Sequence, residues 1–311
     1  MRTLVLGATG YVGRNLLPRL IEQGHKVRCL VRDPSKLVST DIEMVQGDAS
    51  DNASVQSAVK GCDRIVYLIH SMSGREGGFE DLDRHIATNV AASARSSTAR
   101  QIVYLGALGN RGEAQTPHLR SRHEVAGILR SSGVPVTELR AAVVIGAGSA
   151  SFEMIKMLVA RLPVMICPKW VNVKTQPIAV GDVLRYITSS FNRPAATGAT
   201  IDIGGPDVLS YREMMLTVAR QMHLRRLIIP VPVLTPWLSS HWVNLVTTVS
   251  APLARALIES VRSETVCEDD SALRLFDIKP TGFAEAVKEA LSGNRKEGPD
   301  TFNTKENGVA L

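Results

Sequence analysis

Seven residues near the start of the chain, Gly7-Ala8-Thr9-Gly10-Tyr11-Val12-Gly13, constrain its fold more than any other stretch. They follow an apolar run, Thr3–Leu6, and precede Val12, Leu16 and Leu20, whose spacing of four marks one face of a helix. Glycines at a strand-to-helix junction have separate uses. Gly7 permits a sharp turn out of the strand, Gly10 lets backbone approach a pyrophosphate, and Gly13 lets the helix pack against the sheet. The helix N-terminus then presents unpaired N–H groups and a positive dipole end to anionic phosphates. Gly7, Thr9, Gly10, Tyr11, Val12 and Gly13 therefore read as the phosphate-binding turn of a dinucleotide site.

The rest of the first half repeats this alternation. Further strands are expected at Lys26–Val31, Glu43–Val45, Arg64–Ile69, Gln101–Leu105 and Val136–Leu139, and Ile86, Val90 and Ala94 mark another helix. Alternating strands and helices imply an α/β fold, a Rossmann-type doubly wound parallel sheet with helices on both faces. Pro18 is expected to kink or loosen the first helix. After Ala142 the pattern changes. A helix is expected around Ser151–Arg161, then a stretch bearing Pro and Trp. A short strand and a helix opened by Asp182 follow, then a Gly-Gly-Pro turn and a helix capped by Ser210. Residues 1–145 thus read as the NAD(P)-binding domain, its sheet completed by later segments. Residues 146–291 read as a smaller C-terminal part forming the substrate cleft, and 292–311 as a flexible polar tail.

Charge and cysteine narrow the function classes. The net charge of +6 is scattered, without the basic run or interleaved aromatics of a nucleic-acid module. Cys29, Cys62, Cys167 and Cys267 form no C-x-x-C pair, which argues against a metal site or a disulfide framework and for reduced thiols. The first strand begins almost at Met1, so a cytoplasmic protein is expected. From Leu227 to Ala254 there is no Asp, Glu, Lys or Arg. Pro230, Pro232 and Pro236, with several Ser, Thr, Asn and His, make a membrane span a poor reading. A pocket wall or interface fits better, and peripheral membrane contact stays open.

The end of the second strand chooses the cofactor. NAD binders place an acid there for the ribose hydroxyls, whereas this chain has Arg32 and, within reach, Lys36, which suit a 2′-phosphate. NADP(H) is expected, with NAD(H) admissible because Asp33 lies between them. Asp48, in Gly47-Asp48-Ala49 after the third strand, is placed to accept from the adenine amino group.

Together these motifs resemble the atypical, NmrA-like branch of the extended short-chain dehydrogenase/reductases, close to bacterial YbjT-like NAD(P)-binding proteins. The resemblance rests on GATGYVG, GDASD, the Ile69-His70-Ser71-Met72 loop and Asn89. Farther on it rests on HLRSRHEVAGILR, GVPVTELRA, IGAGSASFE, QPIAVGDV and GGPDVLSY. It implies a nicotinamide cofactor held also by Ala49, Ile69, His70, Ser71 and Asn89, a sheet of six or seven strands, and a cleft formed by the C-terminal part.

One departure governs the chemistry. The family's acid–base pair is Tyr-x-x-x-Lys, helped by a serine after the fifth strand. Here the residues four beyond the five tyrosines are Asn15, Ser71, Leu108, Ser190 and Met215, and the serine position falls at Gly106-Ala107. Where the pair belongs stand His118 and Arg122, one turn apart. One reading makes them the replacement: His118 the acid, its pKa lowered by the arginine, and Arg122 the group that holds ribose or a developing oxyanion. The substrate would be a lipophilic carbonyl or quinone. The other makes the protein a non-catalytic NADP(H)-binding sensor or assembly factor, with His118 merely opening a helix after Thr116 and Pro117. Glu153 is either a substrate carboxylate or a polar face residue.

Overall fold

A computed structural model describes residues 1–37, 39–70, 78–109, 116–231 and 263–293. Its centre is a seven-stranded sheet in the order β11-β6-β5-β4-β1-β2-β3, with every neighbouring pair parallel. The strands are β1 (Arg2–Leu6), β2 (Lys26–Val31), β3 (Ile42–Gln46), β4 (Arg64–Tyr67), β5 (Gln101–Ala107), β6 (Val136–Ala141) and β11 (Thr200–Ile203). The strand order reverses between β1 and β4. That switch point opens a crevice beyond the strands' C-terminal ends, where ligands of such sheets bind.

Side chains alternate between two layers. Val5, Val66, Val103 and Leu139 pack under α1 (Tyr11–Glu22) and α6 (Val180–Ser189). Leu4, Leu6, Ile65, Tyr67, Ile102 and Tyr104 pack under α2 (Asn52–Val59), α3 (Phe79–Arg95) and α4 (Pro117–Arg130). Thr116 caps α4 with its hydroxyl on the Leu119 N–H, and Pro117 takes the first turn. Helix α1 runs unbroken through Pro18, because the buried Leu16, Leu17 and Leu20 hold it to the sheet on either side of the missing donor.

Several strand ends differ from the pattern in the sequence, β1 starting at Arg2 and β3 covering Ile42–Gln46. β4 stops at Tyr67 because Ile69 and His70 turn away toward α4, while β5 and β6 run on to Ala107 and Ala141. Asp182 does not open α6. Ala179 is the N-cap, and the buried Asp182 carboxylate accepts from the Thr281 N–H at 2.6 Å and pairs with Arg185.

A second core gathers Phe152, Ile155, Val159, Met214, Val218, Phe283 and Val287 from α5 (Ala150–Arg161), α7 (Tyr211–Gln221) and α9 (Phe283–Leu291). Ser210 and Glu213 close a capping box on α7, as its sequence suggests. Two-residue strands β7 (Val144–Ile145), β9 (Lys174–Thr175), β10 (Ile178–Ala179) and β12 (Leu209–Ser210) pair as β7–β10 and β9–β12. β8 (Val164–Pro168) and β13 (Leu227–Val231) form a parallel ribbon of their own. The short α8 (Ser271–Leu275) returns to the first core, where Phe276 packs on Tyr186. No described helix is long and apolar enough to cross a membrane. Residues 232–254 of the uncharged segment, and the tail from 294, lie outside the described residues.

Candidate functional site

Gly7 sits at φ +85°, a conformation that side chains resist, and an added Cβ would stand 2.8 Å from the Leu68 carbonyl carbon. At Gly13 the added Cβ would lie 2.3 Å from the Gly7 carbonyl oxygen. Gly13 thus lets the helix close on its own glycine turn, a tighter constraint than packing on the sheet. Gly10 is the N-cap, its N–H on the Gly7 carbonyl at 3.0 Å, and no side chain caps α1. The first-turn N–H groups therefore face the crevice, and the cradle fits a pyrophosphate. Thr9 is half-buried in the turn. Tyr11 and Val12 are buried, so they can reach a phosphate only through backbone. The Tyr11 hydroxyl instead abuts Gly146, where an added Cβ would come within 2.1 Å of it.

Just beyond β2, Arg32 and Lys36 are exposed, and no hydrogen bond or ion pair of Arg32 is found among the described residues. Asp33 is committed to its own turn. Its Oδ1 accepts from the Ser35 N–H at 3.0 Å and the Ser35 hydroxyl at 2.7 Å, and that hydroxyl leads in holding the carboxyl below its usual range. Asp48 makes the same turn with Ser50, both contacts at 2.8 Å. Asn89 reaches the adjoining loop from α3, donating to the carbonyls of Ser50 at 2.8 Å and Ala49 at 3.2 Å. It positions that loop, joined by His85 Nε2, 2.8 Å from the Ser50 carbonyl oxygen.

At the other end, Ile69 N would lie 3.1 Å from a Cβ on Gly7, and the Ile69 carbonyl accepts from Arg122 Nη1 at 3.1 Å. The glycine turn, the end of β4 and Arg122 are therefore contiguous. Arg122 is 5% exposed, and the same nitrogen donates to the Tyr104 hydroxyl at 3.3 Å. It has no carboxylate partner among the described residues. Burial pulls its pKa down to about 9, so it keeps its proton at neutral pH.

Around it lie groups that no sequence motif marked. Asp83, fully buried on α3, accepts from the Ser121 hydroxyl at 3.0 Å, and its Oδ2 is 3.6 Å from His70 Nδ1. Neither ring nitrogen of His70, which is 7% exposed, has a hydrogen-bond partner among the described residues. The His70 and His118 rings are 4.6 Å apart. Tyr67 packs edge-on against Tyr104, and burial raises the pKa of both phenols. Ser71 lies outside the described residues. At the expected serine position, a Cβ on Gly106 would meet Glu138 Oε1 at 3.1 Å, so β5 has room for the buried Glu138 and little for a serine. Glu153 is taken up locally, accepting from the Gly148 N–H at 3.0 Å and pairing with Lys156.

The His118 pKa falls from 6.5 to about 4, and the cause is burial, partly offset by the Asp83 charge, rather than the arginine. The imidazole is neutral at pH 7. A base whose folded pKa is depressed favours unfolding once protonated. Its contribution is intact above pH 6.5 and is lost as pH falls from there to about 4, by up to about 3 kcal/mol. His118→Phe should therefore flatten the pH dependence of the urea midpoint in that window. An unchanged slope would show that His118 titrates normally.

Residues 7–150 match the family model described as NAD(P)H-binding. The chain is 26% identical over 227 residues to (4-alkanoyl-5-oxo-2,5-dihydrofuran-3-yl)methyl phosphate reductase of Streptomyces griseus, covering 70% of this chain and 72% of that protein. It is also 26% identical over 140 residues to the photosystem II assembly factor Ycf39 of Cyanophora paradoxa, covering 44% of each. Across several of the curated relatives it matches, the aligned part spans from 35% to 72% of their length. In fold it is similar to the NADPH-dependent quinone oxidoreductase of Escherichia coli, solved with NADPH, at a TM-score of 0.73 and 17% identity over 93% of this chain and 99% of that one. The motif, the parallel sheet and the matched model agree: residues 7–150 are an NAD(P)H-binding domain of Rossmann type.

Proposed function

We propose that the protein is a cytoplasmic NADP(H)-dependent oxidoreductase that reduces a lipophilic carbonyl or quinone, with Arg122 in the place of the missing Tyr-Lys pair. The carrying observation is the buried, protonated guanidinium with no carboxylate partner among the described residues, contiguous with the phosphate cradle. A bound nicotinamide would supply the hydride. Reduction leaves negative charge on the acceptor oxygen, and Arg122 places a fixed positive charge there at low dielectric. Arginine is a poor proton donor. Neutral His118 would offer an N–H hydrogen bond while solvent delivers the proton, so His118→Ala should cost less turnover than Arg122 replacement. The test is NADPH oxidation against a panel of quinones and enones, and turnover unchanged in both variants would place the active site elsewhere.

Preference for NADP(H) is drawn from Arg32, with Lys36 near it and Asp33 withdrawn into its turn. Arg32→Ala should weaken NADPH binding ~10-fold to 100-fold and leave NADH binding nearly unchanged, as loss of a charge-assisted phosphate contact would. Equal dissociation constants for NADPH and NADH in the unaltered protein would refute it.

The second reading, a nucleotide-stabilised assembly factor or sensor, is favoured by the loss of serine, tyrosine and lysine together and by the match to an assembly factor. It replaces the first if NADPH binds while no acceptor on the panel is reduced.

A further inference from the structure

The β8–β13 ribbon carries an apolar face that no described segment covers. Val164 is 48% exposed, Ile166 55%, Leu227 56% and Ile229 41%. They make up half of the eight large hydrophobic side chains exposed to this degree among the described residues. The register pairs Leu227 with Val164 and Ile229 with Ile166, so the four form two adjacent rungs on one side. Met165 and Ile228, of opposite parity, are 1% and 3% exposed and anchor the ribbon in the second core. Single exposed aliphatics are ordinary on a protein surface; four in register are not.

Among the described residues that flank the two strands in sequence, the exposed charges have one sign. The exposed Arg161 and Lys169 stand just before and just after β8, and the exposed Arg225 precedes β13. No acidic residue occurs between Glu153 and Asp182, or between Glu213 and Glu259. Two such faces would repel each other, which argues against a second copy of the chain as the occupant. Strand addition is also disfavoured. Pro230 lies within β13, Pro168 ends β8 and Pro163 precedes it, and each lacks the N–H that an added strand would need.

We propose that this face docks the protein on the surface of an anionic phospholipid bilayer. The four aliphatic side chains enter the headgroup layer, and Lys169 and Arg225 lie against lipid phosphates. The contact is independent of the chemistry at Arg122.

Co-sedimentation of the full chain with vesicles tests it. Binding to phosphatidylcholine vesicles containing phosphatidylglycerol should exceed binding to phosphatidylcholine alone by ~10-fold or more and weaken in high salt. The double variant Ile166→Glu, Ile229→Glu should lose ~10-fold or more of that binding while keeping its thermal midpoint and NADPH affinity. Both positions are exposed, so folding should tolerate the change. Lys169→Glu with Arg225→Glu gives a second variant that leaves the apolar face intact, and it too should release the protein. The proposal is overturned if the two vesicle types bind alike, or if binding survives both variants. It is equally overturned if the unaltered protein is a dimer that the isoleucine pair dissociates, since the occupant is then a second copy.

Discussion

Alanine in place of Gly13 is expected to abolish measurable NAD(P)H binding, weakening it by at least ~100-fold, because its methyl group would stand 2.3 Å from the Gly7 carbonyl oxygen. Neither atom can yield cheaply. One is on the first turn of a buried helix, and the other on a turn already held in the left-handed region. Relief would tilt α1 away from the turn, moving its N–H groups off the phosphate position and costing about 1–3 kcal/mol of stability. Gly127 is the control. It lies within α4 with open space where a Cβ would go, so Gly127→Ala should leave binding intact and raise stability by ~0.5–1 kcal/mol. Calorimetric titration and thermal unfolding of both variants decide it, and a Gly13→Ala protein that binds normally would refute the cradle.

Arg122→Met should move activity and stability in opposite directions. If Arg122 meets the developing oxyanion, kcat with a responsive acceptor should fall by ~10³-fold, the scale of a lost oxyanion donor. NADPH affinity should change little. Stability should rise by about 1–2 kcal/mol, because an unpaired buried cation gives way to an apolar side chain of similar reach. The pKa gives the same sign. Held down at about 9 by burial, the guanidinium favours the unfolded chain at neutral pH, and that penalty fades only as pH rises above about 9. Arg122→Lys keeps the charge and should recover part of the rate. A variant that loses both rate and stability would make Arg122 a structural brace.

Local features of this molecule are the ones its sequence announces. GATGYVG, the alternating apolar runs, the Thr116-Pro117 start and the Ser210 cap are each written within a few residues, and each forms where expected. What the sequence hides is assembled from distant elements. Asp83 meets Ser121 and His70 across three segments, and Gly146 is small because Tyr11 ends against it. A trace of Asp83 was nonetheless available. It precedes Ile86 and Val90 by three and seven residues, so a carboxylate stands on the apolar face of α3. β7, β9, β10 and β12 have two residues each, too few to display a period. The engagement of Asp33 by the Ser35 hydroxyl likewise appears only in the folded turn.

The last strand of the central sheet has a consequence for how this domain can be handled. β11 reaches the sheet edge only after α5 and the short strands β7 to β10, and α6, which roofs one sheet face, comes just before it. Phe276 and Ile278, farther along still, fill the same roof, and Thr281 is tied to the buried Asp182 beneath. The nucleotide-binding unit is thus discontinuous along the gene. A fragment ending near residue 150 would keep every motif of the cofactor site and lose the cover over Val103 and Leu139. Such a fragment should be made as an aggregating chain, so grafting this domain onto another protein would require carrying the residues out to about Thr281 with it.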